Sequence, residues 1–198
     1  MATFFLVRHA AHDLLDRVLV GRSAGARLGE KGRFQAERLA ERFSRERISS
    51  VQASPRERAV ETAEPIAARV HVALSVAPAA DEIDCGDWTG QPLERLRDDP
   101  AWRHWNASRS TARAPGGESM QEAQQRIVDH LQQVCAAQAE ARVVIVSHAD
   151  IIRAAILYCL DVSLDLFHRL EVAPASISTM VMGDWGCKLL GMNEQVAA

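Results

Sequence analysis

The sequence predicts an α/β protein in which a mostly parallel central sheet lies between two layers of helices, a three-layer α/β/α arrangement. Two apolar runs support this prediction, at residues 4–7 (Phe-Phe-Leu-Val) and 143–146 (Val-Val-Ile-Val). The second run is continuous and bounded by polar residues, as expected for a central parallel strand. Segments with helical spacing of apolar residues alternate with strand-like segments along the 198 residues, and this alternation is typical of parallel sheets.

The first half of the chain follows this alternation after the opening strand. Residues 10–32 are polar and punctuated by glycine, which predicts a loop. A helix with one apolar stripe is predicted over about 31–46. Short β-prone segments at 48–53 and 70–77 then predict two further strands.

A helix start is predicted between those two strands. Ser54 is placed to cap the helix, Pro55 suits the first helical position, and Glu57 completes a capping box. Arg58 then falls in the first turn, where a cation opposes the helix dipole. Arg58 is therefore not expected to serve helix stability.

The second half begins with an excursion and ends with a hairpin. An arginine- and tryptophan-rich stretch at about 93–115 predicts short helical segments and a loop, which Trp102 and Trp105 are expected to anchor to the body. Helical spacing, strand propensity and turn residues predict the remaining elements. These are a helix over 120–139, a strand over 142–147, a helix from about 149 to 160, and a hairpin of strands at 177–182 and 188–192.

Composition narrows the class of protein. The net charge of -3 and the pI near 6.2 argue against a general nucleic-acid binder. The four cysteines are scattered without metal-ligand spacing, which predicts free thiols, no metal site and a cytoplasmic protein. We also expect no signal peptide and no membrane contact. Without linkers or repeats, one domain over residues 1–198 is expected.

Charged and polar side chains follow the predicted strands. Arg8 and His9 end the first strand, and His148 ends the strand at 142–147. Arg58 and Glu82 lie just beyond two other strands. Because the carboxyl ends of parallel strands share one edge of a sheet, we expect these side chains to meet there.

This set of residues suits phosphoryl transfer. An imidazole nitrogen of His9 can attack phosphorus, and the cations Arg8, Arg58 and His148 can neutralise the equatorial oxygens. Glu82 can protonate the leaving oxygen and later accept a proton from water. Arginines supply the charge that a metal would otherwise supply, so neither a metal nor another cofactor is expected.

Five segments occur in an order that is specific when taken together. They are Arg8-His9-Ala10; Ser54-Pro55 with Arg58-Ala59 and Thr62-Ala63; Glu82 with Gly86-Asp87-Trp88-Thr89-Gly90; Pro115-Gly116-Gly117-Glu118-Ser119; and Ser147-His148-Ala149-Asp150 with Ile152-Arg153. Together they resemble the motifs of the histidine phosphatase superfamily, in its phosphoglycerate mutase-like branch 1. The resemblance covers nearly the whole chain and implies a histidine acid phosphatase-like phosphomonoesterase with a phosphohistidine intermediate on His9.

Three positions depart from the pattern of that family. Ala10 and Ala149 stand where glycine is usual, and each adds a methyl group close to the expected site. Leu15 stands where many members have an asparagine that contacts phosphate. Further substrate-binding candidates are Ala149 itself and the loop residues His12, Arg22 and Ser23.

Alternative functions remain open at this point. The leading hypothesis is a metal-independent phosphatase, since the chain lacks the insertions of glycolytic mutases in the family that it resembles. A mutase and a non-catalytic phospholigand-binding protein are the alternatives. The expected partner is a small phosphorylated metabolite held by residues 10–27 and 102–113, whose arginines suggest a second negative group. The sequence does not distinguish a monomer from a homodimer.

Overall fold

The fold is built on a six-stranded sheet whose strand order is β3-β2-β4-β1-β5-β6. The computed structural model describes residues 1–138 and 140–196. The strands are β1 (Ala2–Arg8), β2 (Ser50–Ala53), β3 (Leu74–Val76), β4 (Arg142–Ser147), β5 (Ser176–Gly183) and β6 (Gly186–Gln195). The first four pair in parallel, while β5 and β6 form an antiparallel hairpin beside β1. The predicted mostly parallel α/β sheet is therefore confirmed.

Helices cover both faces of the sheet. They are α1 (Glu30–Phe43), α2 (Glu57–Val70), α3 (Leu93–Arg97), α4 (Pro100–Ala107), α5 (Met120–Ala137) and α6 (Ala149–Cys159). Phe5 and Val7 of β1 pack with α1 and α2 on one face, while Phe4 and Leu6 pack with α5 and α6 on the other. Successive side chains of a strand point to opposite faces, so the apolar run of β1 contributes to two cores at once.

The start of α2 differs from the prediction. The helix begins at Glu57 with Arg56 as its N-cap, and no side chain caps it. The Ser54 hydroxyl is instead hydrogen-bonded to His148 and Asp81, and the Glu57 carboxylate accepts the amide hydrogen of Gly25. Tertiary partners therefore take both groups that the predicted capping box would use.

The excursion is anchored as the sequence predicts. The rings of Trp88, Trp102 and Trp105 contact one another with centroids 5.2 to 5.6 Å apart, and Trp105 is fully buried in the core. The predicted end of α5 at Ala139 lies outside the described residues. In the part of the chain that the structure describes, no helix is long and apolar enough to cross a bilayer.

Candidate active site

The carboxyl edge of the parallel strands brings the expected residues together. His9 directly follows β1, Ser54 follows β2, and His148 follows β4. Arg58 is the second residue of α2, and Glu82 lies in the segment after β3. The ring centroids of His9 and His148 are 5.2 Å apart. Close approach of His9, Arg58, His148 and Glu82 therefore follows from the order of the strands.

His9 is held as a neutral imidazole with one nitrogen free to react. Its Nδ1 lies 2.9 Å from the carbonyl oxygen of Ala10, and because a carbonyl can only accept, Nδ1 carries the hydrogen. Nε2 accepts from Arg58 Nε at 3.3 Å. Burial and the Arg58 charge hold the pKa of His9 well below its ordinary value. The Nε2 lone pair of this buried ring is therefore available near neutral pH.

Arg58 links the groups of the site. Its Nη2 donates to the carbonyl oxygen of Gly21 at 2.8 Å and to Nδ1 of His148 at 3.2 Å. Its Nη1 is buried and has no hydrogen-bond partner among the described residues. A buried guanidinium nitrogen without a partner is costly, and such a group points to an anion as its missing partner.

Two further buried nitrogens in the residues that line the same cavity resemble Arg58 Nη1. Nε of Arg8 and Nδ1 of His12 are also buried without a hydrogen-bond partner in the described part of the chain. Arg8 is held by its Nη1, which donates to the carbonyl oxygen of Val172 at 2.7 Å. The His12 ring lies 5.4 Å from the His9 ring, and burial, aided by Arg58, lowers the pKa of His12 to about 4. His12, a loop candidate from the sequence, thus lies at the site.

His148 is part of a chain of hydrogen bonds that leads from Arg58 through Ser54 to Asp81. Because Nδ1 accepts from Arg58, Nε2 carries the hydrogen and donates to Ser54 Oγ at 2.7 Å. The Ser54 hydroxyl in turn donates to Asp81 Oδ1 at 3.2 Å. Burial, followed by the charge of Arg58, holds the pKa of His148 well below its usual range. His148 is therefore neutral in this arrangement, and Asp81 fixes its tautomer through Ser54.

Glu82 has the environment of a proton donor. Its Oε1 accepts the amide hydrogen of Ile83 at 2.9 Å, while Oε2 lies 3.4 Å from His148 Nδ1 and 3.8 Å from Arg58 Nη2. Burial raises the pKa of Glu82 to about 7, although Arg58 opposes the shift. A carboxyl group with that pKa can give and take a proton at neutral pH.

His9, Arg58 and Glu82 line a cavity of about 160 Å³, whereas His148 contacts Arg58 and Glu82 from behind that lining. Its lining combines charged, imidazole and apolar groups, and comprises Arg8, His9, His12, Leu15, Asp16, Val18, Leu19, Val20, Gly21, Arg58, Glu82 and Leu93. A larger groove of about 610 Å³ lies against α5, α6 and the β5–β6 hairpin. Its lining includes Ser110 of the predicted substrate-holding stretch 102–113 but none of the predicted catalytic residues, so the chemistry is assigned to the smaller cavity.

Arg22 and Ser23, two loop residues predicted to bind substrate, do not line this cavity. The Arg22 guanidinium donates to the carbonyl oxygen of Glu82 at 2.7 Å and to the Glu118 carboxylate at 3.0 Å, so it braces the segment that carries Glu82. Ser23 is half-exposed and does not line the cavity. The structure therefore does not bring Arg22 and Ser23 to the place where His12 lies.

The alanines that replace glycine are accommodated away from the cavity. Ala10 is fully buried in the core formed with α1 and α2, and Ala149 packs against the opposite core. Neither residue lines the cavity, and neither has a positive φ. Crowding of the site by these two methyl groups therefore stays a prediction. Leu15, by contrast, does line the cavity.

Sequence reasoning assigned Ser54 and Asp81 no role at the site. Ser54 was assigned to the cap of α2 because its local sequence fits a helix start. Its position directly after β2 nevertheless indicates a place at the site, since His9 and His148 follow β1 and β4 in the same way. Asp81 immediately precedes Glu82 and offered no comparable signal.

Comparison with known proteins agrees with this geometry. The family model of the histidine phosphatase superfamily (branch 1) matches residues 4–195. The chain belongs to this superfamily. Among curated histidine phosphatase relatives, phosphoserine phosphatase 1 of Hydrogenobacter thermophilus is 31% identical over 200 residues, which cover 98% of this chain and 92% of that protein. Phosphoglycerate mutase-like protein 4 of Arabidopsis thaliana is 33% identical over 159 residues, with 77% and 68% covered.

A solved structure shows the same fold. Bacillus stearothermophilus YhfR superposes with a TM-score of 0.91 at 24% identity, and the match covers 98% of both chains. The predicted phosphoglycerate mutase-like fold is thereby confirmed. The prediction of a phosphatase from the histidine phosphatase superfamily is confirmed by the family match and by the Hydrogenobacter relative.

Proposed function

We propose that this protein hydrolyses a small phosphomonoester through a phosphohistidine intermediate on His9. The observation that carries the proposal is the state of the His9 ring, with Nδ1 bound to the Ala10 carbonyl and Nε2 beside Arg58. Nε2 is therefore the nucleophile. A neutral imidazole whose Nε2 carries no hydrogen needs no separate base before it attacks phosphorus.

The phosphoryl group is bound by the donors that lack partners. Among the described residues that line the cavity, Arg58 Nη1, Arg8 Nε and His12 Nδ1 are the buried nitrogens without a hydrogen-bond partner. Hydrogen bonds from two guanidinium groups would stabilise the charge that gathers on the equatorial oxygens during transfer. A bound phosphate dianion would also raise the pKa of His148 and convert its Nδ1 into a donor. Ala149, at the start of α6, remains a further predicted contact.

Glu82 moves the proton in both halves of the reaction. In the first half, the bond between phosphorus and His9 Nε2 forms, the ester P–O bond breaks, and Glu82 protonates the leaving oxygen. In the second half, water attacks the phosphohistidine, Glu82 takes the proton of that water, and His9 leaves as a neutral imidazole. A pKa of about 7 suits both roles. Because the first half needs protonated Glu82, we propose acid phosphatase-like behaviour, with activity declining above neutral pH.

Transfer to water, rather than to a second substrate hydroxyl, is the expected outcome. The cavity is small, about 160 Å³, and its lining holds no cation besides Arg8 and Arg58 among the described residues. A phosphorylated acid that must be retained and rephosphorylated would need a further positive contact. Release of inorganic phosphate without an isomer would support hydrolysis, whereas an isomerised product would establish a mutase.

The test replaces the nucleophile. His9→Ala should lower kcat/KM for p-nitrophenyl phosphate by at least about a thousandfold, because no other group can form the covalent intermediate. Wild-type protein mixed briefly with a radiolabelled phosphoryl donor and quenched in alkali should carry label on His9. His104→Ala, which removes an exposed histidine on α4, should label and turn over like wild type. Equal turnover by His9→Ala would refute the proposal, and the absence of label across several donors would favour a binding protein.

A further inference from the structure

The part of the cavity lining that contains none of the proposed catalytic or phosphoryl-binding groups has a distinct character. This leaving-group wall consists of Leu15, Asp16, Val18, Leu19, Val20 and Leu93. Five of these residues are apolar, and the sixth is an exposed aspartate in the loop between β1 and α1. A wall of this composition offers apolar contact for a short carbon chain and one negative charge.

Two of the arginines that the sequence offered for this wall, Arg109 and Arg113, do not reach it. Arg109 is buried, lies 3.0 Å from the Asp150 carboxylate, and stacks on Trp105 with its guanidinium carbon 3.3 Å from the ring centroid. Arg113 is ion-paired with Glu122 on the surface. Neither lines the cavity. Arg109 and Arg113 therefore give no support to a second negative group on the substrate, which stays a prediction.

Asp16 is close enough to the phosphoryl-binding groups for its charge to reach them. Burial lowers the pKa of both Arg8 and His12, and the Asp16 carboxylate opposes that effect, although Glu82 acts more strongly on Arg8 and Asp13 more strongly on His12. The backbone at Asp16 is left-handed, with φ of 60°, a conformation that aspartate adopts more readily than most residues. Asp16 is exposed and also lines the cavity, so it lies where the cavity meets solvent.

We propose that Asp16 selects phosphomonoesters whose leaving group carries a cationic nitrogen a few bonds from the ester oxygen, as in small phosphorylated amino alcohols. This inference rests on the proposed function, because it assigns the leaving-group half of the same cavity. The short carbon chain of such a substrate would lie on the apolar wall, and its ammonium group would meet the Asp16 carboxylate. An anionic leaving group would meet the same charge and be repelled.

Three ligands of matched size test the inference. O-phosphoethanolamine carries an ammonium group, n-propyl phosphate carries a methyl group at the same position, and phosphoglycolate carries a carboxylate. Each is measured as a competitive inhibitor of p-nitrophenyl phosphate turnover, so the result does not depend on the reactivity of the leaving group. The inhibition constants should rise in the order ammonium, methyl, carboxylate.

Substitutions assign the preference to Asp16. In Asp16→Asn the preference for phosphoethanolamine over n-propyl phosphate should fall about two- to fivefold, the range that a solvent-exposed ion pair supplies. Asp16→Lys should reverse the order and favour phosphoglycolate. Asp98→Asn removes an exposed carboxylate just after α3, one that does not line the cavity, and should keep the wild-type order.

Other outcomes would overturn the inference. Equal inhibition constants for the three ligands in wild type, or inhibition by none of them, would show that the charge of the leaving group does not determine binding at the wall. An equal change for all three ligands in Asp16→Asn would show that Asp16 only balances the charge of Arg8. If wild type does not hydrolyse p-nitrophenyl phosphate at all, the proposed function fails first and the inference fails with it.

Discussion

At the scale of single residues, the chemistry depends on which nitrogen of each histidine carries the hydrogen. The Nε2 atom of His9 carries no hydrogen, because the hydrogen is on Nδ1, where it is bound by the Ala10 carbonyl. His148 has the opposite tautomer because Arg58 occupies its Nδ1 and Ser54 its Nε2. The two rings lie 5.2 Å apart, yet in the mechanism that we propose one attacks phosphorus and the other supports a bound phosphate. Hydrogen-bond partners, rather than residue type, separate these roles.

The role of Glu82 leads to a prediction that separates leaving groups. Glu82→Gln should lower kcat/KM for n-propyl phosphate by about a hundredfold or more, because an alkoxide cannot leave without a proton. For p-nitrophenyl phosphate the loss should be below about tenfold, since a phenolate of low pKa needs no acid. Glu37→Gln, which alters an exposed carboxylate of α1, should match wild type. Equal losses on both esters would contradict the assignment of Glu82 as the acid.

The pH dependence of kcat/KM for n-propyl phosphate follows from the protonation of Glu82. The pKa of Glu82 is raised to about 7, so the proton-donating form is present below that pH and lost above it. The wild-type kcat/KM for n-propyl phosphate should therefore fall as pH rises through about 7. The pKa of His9 is well below its ordinary value, so His9 should limit activity only at much lower pH. In Glu82→Gln the fall in kcat/KM near pH 7 should disappear. If the fall persists, another group is responsible for it.

At the scale of elements, the site depends on how closely α1 approaches the loop after β1. Gln35 of α1 accepts the amide hydrogen of Ala11 at 2.9 Å. A methyl group on Gly32 would lie 1.9 Å from the Ala11 carbonyl oxygen, far inside contact distance. This glycine therefore lets the helix dock against the backbone beside the Ala10 carbonyl that orients His9.

Gly32→Ala tests that docking. The substitution should lower the free energy of unfolding by about 1 to 3 kcal/mol, because the helix or the loop must shift, and it should also lower kcat/KM. Urea denaturation and steady-state kinetics measure the two effects. Gly191→Ala is the matched control, since nothing lies within 4 Å of a methyl group there. Unchanged stability in Gly32→Ala would mean that this approach does not constrain the fold.

At the scale of the whole molecule, four distant segments form one cation-rich cavity, and an anion should therefore stabilise the entire fold. Inorganic phosphate at about 100 times its Kd should add about 2.7 kcal/mol and raise Tm by about 5 to 10 °C. Arg58→Ala, measured against its own Tm without phosphate, should lose most of that increase. Arg69→Ala removes an exposed arginine paired with Glu41 and should keep it. A full shift in Arg58→Ala would remove Arg58 from the phosphate site.

Much of this protein follows from its sequence read alone. The mostly parallel sheet was predictable because strand and helix periodicity are local properties. The positions of His9, Arg58 and His148 were predictable because each follows an apolar strand along the chain, and strand ends share an edge. The first-turn position of Arg58 held even though the start of its helix is shifted from the predicted one.

Only the tertiary structure decided which polar groups face the cavity. Ser54 binds His148, 94 positions away, and Arg22 binds Glu118, 96 positions away, so neither role is visible in local sequence. The methyl groups of Ala10 and Ala149 turn into the two cores, and the wall with Leu15 and Asp16 is defined by packing between distant segments. Periodicity determines where a side chain lies along an element, but its partners depend on which elements meet.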